Sequence, residues 1–176
     1  MAPRALIVLC GRSYSGKSTV AAHVARALPA DLLSLDAINE ERGFPAGADI
    51  AVEEWATTFR TALDRAGRIL GAGRSVVVDD TGSPRFLRDE WRAHAAAKDA
   101  PFTLLYVDAS EATVRARAES NRRDPRRHDV APDVLDGHLA GFEPPAADEP
   151  HLVLRSDADD ADVSAVIDSI RRSAGC

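Results

Sequence analysis

Apolar residues gather in five short runs separated by longer amphipathic stretches. Residues 5–10, 32–35, 75–79, 103–108 and 151–155 are each rich in Val, Leu or Ile. Unbroken apolar runs of that length are the signature of strands buried on both faces. Between them the apolar spacing changes to three and four. Val20, Val24 and Leu28 share one helical face over 18–28, and Val52, Trp55, Phe59, Leu63, Ala66 and Leu70 do so over 52–70, where Gly71 and Gly73 end the pattern. Ser83 and Pro84 look like the cap and first position of a third helix carrying Leu87, Trp91 and Ala95. Ser110 opens a fourth, and Val163, Val166, Ile167 and Ile170 line a last one. Strand and helix patterns alternating in this way predict an α/β fold, a five-stranded parallel sheet flanked by helices.

Two stretches interrupt the alternation. Residues 40–49 are charged and contain Gly and Pro, and residues 121–129 are dense in arginine around Pro125. Each lies where an α/β enzyme carries a substrate loop.

The 176 residues amount to one domain, expected to span 1–176, with enough chain to bury a core without disulfides or a structural metal. Cys10 and Cys176 form no disulfide framework. The N-terminal apolar run is six residues long and a glycine turn follows it. That is too short for a signal peptide or a membrane span, so the expected location is cytoplasmic, with no membrane partner. With 28 acidic and 22 basic side chains the net charge is −6, which weighs against a dedicated nucleic-acid binder while leaving room for a local basic site. The basic residues are unevenly divided, 20 arginines against two lysines, Lys17 and Lys98.

Lys17 stands in Gly11-Arg12-Ser13-Tyr14-Ser15-Gly16-Lys17-Ser18, which fits G-x-x-x-x-G-K-[ST] between a strand pattern and a helix pattern. The glycines let the backbone curl so that its N–H groups point inward at a β-phosphate, and the following helix adds its positive end. Lys17 then reaches the β- and γ-phosphates and the Ser18 hydroxyl is placed to ligand Mg²⁺. A compact ammonium fits between phosphate oxygens where a planar guanidinium does not. The nucleotide-binding candidates are therefore Gly11, Ser13, Tyr14, Ser15, Gly16, Lys17, Ser18 and Thr19, the last of which also suits helix packing.

Asp36 follows the second strand pattern, so it should face the crevice at the carboxyl ends of the strands, placed to take or orient the proton of an attacking hydroxyl. Its alternative is a helix-capping role. Asp79, Asp80 and Thr81 follow Val76-Val77-Val78. A carboxylate there anchors Mg²⁺ or the Ser18 hydroxyl, with Asp80 favoured and Asp79 the alternative. Arg115, Arg117, Arg122, Arg123, Arg126 and Arg127 put six arginines into thirteen residues. A mobile lid over about 115–130 would stabilise the charge spread over a transferring phosphoryl group, with Arg122, Arg123 and Arg126 as its phosphate contacts. At least half of the six, Arg115 and Arg117 among them, suit solvent or helix packing. The five histidines have no metal-ligand spacing, and no nucleophile elbow is present.

These residues, with Pro84-Arg85 after the Asp79-Asp80-Thr81 turn and Phe142-Glu143-Pro144-Pro145 before the last strand, resemble the small P-loop kinases. The nearest group is the kinase domain of phage-type polynucleotide kinase and the AAA-type bacterial ATP-binding proteins related to it. Chloramphenicol phosphotransferase, adenylylsulfate kinase and the zeta toxins are more distant. The resemblance covers nearly the whole chain and implies the P-loop kinase fold with an arginine-rich lid, and ATP and Mg²⁺ as cofactors. It makes Lys17 and Ser18 the phosphate and Mg²⁺ residues and Asp36 the base. It places Asp80 and Thr81 beside the base or acceptor, and a lid arginine near Arg122 or Arg123 on the γ-phosphate. Polynucleotide kinases carry an arginine three residues after the base, where this chain has Asn39, with Arg42 one turn later.

The acceptor pocket is expected from 40–55, Arg85, Arg88 and the lid, with Asp36, Asn39, Arg42, Asp80, Thr81, Arg85 and Arg88 as the substrate-binding set. The leading expectation is an ATP-dependent kinase acting on a hydroxyl of a small molecule such as a nucleoside, sugar or antibiotic. A 5′-hydroxyl polynucleotide kinase is the runner-up. A nucleotide-dependent switch or ATPase without an acceptor is the alternative of a different class.

Overall fold

The computed structural model of the chain describes residues 4–45, 48 and 50–174. Ala46, Gly47 and Asp49 of the expected acceptor loop, and Cys176, lie outside the described residues. The strands are β1 (Leu6–Cys10), β2 (Asp31–Ser34), β3 (Val76–Asp79), β4 (Phe102–Asp108) and β5 (Leu152–Arg155). They form one parallel sheet in the order β2-β3-β1-β4-β5, with Leu6 opposite both Val76 and Phe102. The helices are α1 (Lys17–Ala27), α2 (Leu35–Glu41), α3 (Val52–Gly71), α4 (Arg85–Ala96), α5 (Glu111–Arg123), α6 (Pro132–Gly141) and α7 (Asp160–Ser173).

Central β1 is buried along its whole length because both faces of the sheet are covered. Leu6, Val8 and Cys10 face α2, α3 and α4 with Ile38, Ala62, Leu70 and Trp91. Ile7 and Leu9 face the opposite way, onto Val24 of α1 and Ile167 and Ile170 of α7. A third, smaller cluster of Tyr14, Ala109, Val114, Ala118, Val130 and Leu135 sits under α5 and α6. It joins the glycine-rich loop to those two helices. Among the described residues, no helix is long and apolar enough to cross a membrane.

Besides shifts of a residue at element ends, two helix starts and one whole helix differ from the sequence expectation. Leu35 belongs to α2 rather than β2, because the Ser34 hydroxyl accepts from the Ala37 N–H and starts the helix there. At the head of α4, Ser83 does not cap the helix. Its hydroxyl accepts from Glu143 N (2.8 Å), and the Glu143 carboxylate takes the first helical N–H, from Arg85 (3.0 Å). The third difference is α6, which no sequence pattern announced. It holds Pro132 at its start, where the ring's fixed φ suits a helix, but carries glycine at 137 and a short apolar face of Val134, Leu135 and Leu139. Ser110, as expected, caps α5 by accepting from Thr113 N.

Candidate active site

The loop between β1 and α1 closes under steric constraint. A Cβ on Gly11 would lie 2.8 Å from both Ser15 Oγ and the Val107 carbonyl oxygen, so only glycine fits. Gly11 N donates to Thr81 O (3.0 Å), which ties the loop's entry to the turn after β3. Gly16 takes φ 94° at the head of α1, and no side chain caps the helix. The first N–H groups of α1 are thus left for a ligand, and an anion is the partner they favour. Ser18 and Thr19 are exposed beside them and Lys17 is half-buried. Lys17 makes no ion pair among the described residues.

Tyr14 behaves differently from its neighbours in the loop. Its backbone is left-handed (φ 60°) and its side chain is buried. Its hydroxyl donates to Asp129 Oδ1 (2.9 Å) and accepts from Val130 N (3.1 Å). The Arg127 guanidinium lies 4.6 Å over its ring. Arg117 donates to the carbonyls of Tyr14 (3.1 Å), Ser15 (2.9 Å) and Ser156 (2.8 Å). The chain after Asp129 continues along the same loop, with His138 Nδ1 3.5 Å from Ser13 Oγ and Arg12 stacked 4.8 Å over the Phe142 ring. Residues 129–142 therefore touch Tyr14, Ser13 and Arg12 in turn, and cross the mouth of the cradle.

The arginines divide in a way the sequence did not reveal. Arg122 pairs with Asp129 (3.3 Å), Arg123 with Glu119 (3.9 Å) and Arg126 with Asp124 (3.1 Å), the last two at the exposed surface. Arg115 pairs with Glu111 and Asp136. Those that meet the cradle are Arg117, which suited helix packing in the sequence, and Arg127. Neither has a carboxylate partner within ion-pairing distance among the described residues. A cleft of about 390 Å³ lined by Asp108, Ser110, Thr113, Arg117, Ser156 and Asp157 opens beside Arg117.

At the carboxyl end of β3, Asp79 Oδ1 and Asp80 Oδ2 are enclosed and have no hydrogen-bond partner. Burial pushes the Asp80 carboxyl up to about 6, against hydrogen bonds from the Gly82 and Thr81 backbone and the pull of Lys17. Two enclosed, unpartnered carboxylate oxygens near a lysine fit a divalent cation or its water shell. Among the described residues no three His, Cys, Asp or Glu side chains gather as a metal cage. Mg²⁺ in phosphoryl chemistry needs one or two protein oxygens, its other ligands being phosphate and water, and Ser18 and Asp80 could supply them.

Asp36 lies in the first turn of α2, exposed at the carboxyl edge of the sheet, and the cap of that helix is Ser34. Asn39 and Arg42, expected to hold substrate, are turned into the seam between α2 and α3. Asn39 is buried and accepts from the Thr58 hydroxyl, and Arg42 donates to Thr58 Oγ1 (2.6 Å), Glu54 O (2.7 Å) and the Glu54 carboxylate. Arg85 grips Asp148 with two bonds of 3.0 and 2.9 Å.

Arg88, expected to bind substrate, is sealed inside the fold. It has no exposed surface, and its five donors meet Glu149 Oε2 (2.9 Å), Glu149 Oε1 (2.6 Å), Gly82 O (2.7 Å), Glu143 O (2.9 Å) and Pro144 O (3.5 Å). With no donor left it cannot bind substrate. It fixes Gly82, whose φ of 61° and 3.0 Å approach of a would-be Cβ to Leu9 O admit only glycine, and so holds the Asp80-Thr81 turn against β1. Cys10 Sγ donates to the same Gly82 carbonyl (3.4 Å), and burial pushes its thiol up to about 12.

No curated protein matches the chain. Solved structures do match in fold. Kti12 from Chaetomium thermophilum, in complex with ADP-AlF3, is 24% identical with a TM-score of 0.74, over 96% of this chain and 98% of that one. The APS kinase of Mycobacterium tuberculosis, in complex with AMPPNP and APS, is 22% identical with a TM-score of 0.74, over 97% and 99%. A gluconokinase from Sinorhizobium meliloti is 20% identical with a TM-score of 0.66, over 99% and 93%. The model of the AAA domain family matches residues 6–145, a span that holds the glycine-rich loop, the β3 carboxylates and the arginine cluster, and the chain belongs to that family.

Proposed function

We propose that the protein is an ATP-dependent kinase that transfers the γ-phosphoryl group to a hydroxyl of a small molecule. The observation that carries this reading is the pairing of an uncapped helix terminus at Gly16–Lys17 with the unpartnered carboxylate oxygens of Asp79 and Asp80 at the next strand end. An anion site beside a cation site is what a nucleoside triphosphate with its metal requires. The backbone N–H groups at the head of α1 and the Lys17 ammonium hold the phosphates. Bound through Ser18 and Asp80, Mg²⁺ would neutralise charge on the β- and γ-oxygens. Arg117 and Arg127 lie against the loop and make no ion pair with a carboxylate among the described residues, and are better placed for the transferring group than Arg122, Arg123 and Arg126. The whole segment 115–130 serves as the lid. Asp36 accepts the proton of the attacking hydroxyl. That several proteins of similar fold are named kinases supports the reading, and the chain acts as a single domain.

The test is Asp36→Asn under saturating ATP, with acceptors spanning nucleosides, sugars and oligonucleotides. Transfer should fall by about 10² to 10⁴-fold, while ATP affinity stays within twofold of wild type. Full activity of the variant on the preferred acceptor would remove Asp36 from the mechanism. A protein that binds ATP equally well with or without Asp36 and phosphorylates nothing would instead be a nucleotide switch.

A further inference from the structure

Helix α2 carries Asp36 on only seven residues, too few to keep a helical shape without help from its neighbours. Its inward stripe runs through Leu35, Ile38, Asn39 and the C-cap Arg42, at spacings of three and four. The stripe changes character halfway. Leu35 and Ile38 sink into the apolar cluster shared with α3 and α4, whereas Asn39 and Arg42 meet α3 by hydrogen bonds.

Thr58 is the hub of that second half. It is fully buried, and its hydroxyl donates its one proton to Asn39 Oδ1 while accepting from Arg42 Nη1 (2.6 Å). A single point on α3 thus reaches both polar positions of the α2 stripe. The same Arg42 nitrogen donates to Glu54 O (2.7 Å), and the guanidinium pairs with the Glu54 carboxylate and lies 5.2 Å from the Phe44 ring. Phe44 N donates to Asn39 O (2.9 Å), so the seam also fixes the chain where it leaves α2. Nearer the surface, Arg65 grips Glu41 with two bonds of 3.1 and 2.5 Å. Glu54, Thr58 and Arg65 are four and seven residues apart and form one stripe along α3.

Apolar burial is non-directional and by itself leaves a short helix able to turn about its axis. Hydrogen bonds on both sides of one buried hydroxyl are directional and hold one rotation. Asp36 follows Leu35, about 100° round the helix axis, and is exposed. A turn of α2 therefore swings its carboxylate.

From this arrangement we infer that Thr58 is a positioning residue: its hydroxyl sets the rotation of α2 and so the direction in which Asp36 meets the attacking hydroxyl. The inference rests on the kinase reading above for the role of Asp36, and deepens it.

The experiment compares Thr58→Val, which keeps the branched shape and removes the hydroxyl, with Thr58→Ser, which keeps the hydroxyl and removes the methyl. Both changes disturb packing, so only an effect that follows the hydroxyl reports positioning. At saturating ATP, kcat on the preferred acceptor should fall about ten- to a hundredfold in Thr58→Val and stay within about threefold of wild type in Thr58→Ser, with ATP affinity changed less than about twofold in both. In an Asp36→Asn background, Thr58→Val should cost less than about twofold more, because the group it positions is already gone. Amide exchange along α2 should speed up about tenfold in Thr58→Val, with β1 still protected, and stay near the wild-type rate in Thr58→Ser. Should Thr58→Val not fold, Asn39→Ala removes the same bond from the α2 side and is read in the same way. Equal losses of kcat in the Val and Ser variants overturn the inference, as do losses that multiply in the double variant. If the wild-type protein phosphorylates no acceptor, the kinase reading falls and exchange alone decides the role of Thr58. Faster exchange confined to α2 then sustains the control of its rotation, and unchanged or global exchange overturns it.

Discussion

The two flanks of the sheet's carboxyl edge treat positive charge in opposite ways. Around the glycine-rich loop, Lys17, Arg12, Arg117 and Arg127 have no carboxylate within ion-pairing distance among the described residues, and the three arginines meet carbonyls and aromatic rings. On the α2–α3–α4 flank, Arg42, Arg85 and Arg88 are matched by Glu54, Asp148 and Glu149. The first flank holds a reserve of charge for an anion. The second uses its charge to join elements of the fold. A guanidinium is therefore informative about ligands only once its partners are known.

The most severe way to test the comparison is to remove the ammonium. Lys17→Ala should lower transfer by roughly a hundredfold to a thousandfold and weaken ATP binding measurably in a nucleotide titration. Arg42→Ala, on the other flank, should change ATP affinity less than about twofold while lowering stability through the orphaned Glu54 and Thr58 groups. If Arg42→Ala weakened nucleotide binding as much as Lys17→Ala, the division into two flanks would be wrong.

The buried pair on the second flank is the next test, read by stability. Arg88→Met leaves Glu149 enclosed without its partner and should cost about 3–5 kcal/mol in urea unfolding. The pair also makes a pH signature. Hydrogen bonds from Arg88 outweigh the opposing effect of burial and hold the Glu149 carboxyl down at about 2, below its ordinary 4.5. A depressed carboxyl contributes stability that is fully present above 4.5 and lost as pH falls from there toward 2, which for this shift amounts to about 3 kcal/mol. Glu149→Gln should flatten the stability profile across that window. An unchanged profile would show that Glu149 gains nothing from Arg88 on folding.

The glycine-rich loop was legible in the sequence because its geometry depends on residues that leave a local mark: Gly11 where a Cβ would strike Ser15 and Val107, Gly16 at a positive φ, and a lysine in a chain that otherwise uses arginine. The five strands were legible for a similar reason, since burial on both faces leaves uninterrupted apolar runs. The arginine roles were not. The partners that decide them are far along the chain, Glu149 lying 61 residues from Arg88 and Asp148 63 from Arg85, so no spacing rule links them. By sequence Arg117 suits solvent or packing because it lies inside a helix. The turn of that helix on which it sits faces the loop carbonyls, and this follows from the packing of Val114 and Ala118 in the cluster around Tyr14. That cluster was also invisible, because Tyr14 occupies a variable position of the loop motif. Helix α6, which completes the cluster, has too short an apolar face to stand out.

The smallest expected effect tests how tightly the first flank is joined to the segment that crosses it. Tyr14→Phe keeps the ring under Arg127 and its packing against Val114 and Leu135, and removes only the hydroxyl that links Asp129 to Val130 N. The Val130 N–H is then buried without an acceptor, at a cost of about 1–2 kcal/mol. That energy acts on the closed position of residues 129–142 rather than on the sheet. Amide exchange should therefore speed up about five- to thirtyfold at Val130 and along α6 while β1 and β4 keep their protection. The KM for ATP should rise a few-fold with kcat little changed, since the phosphate-holding backbone is untouched. Faster exchange throughout the sheet would mean that the hydroxyl supports the whole fold. No change at Val130 would mean that the crossing segment is held by Arg12–Phe142 and the Arg88 anchor alone.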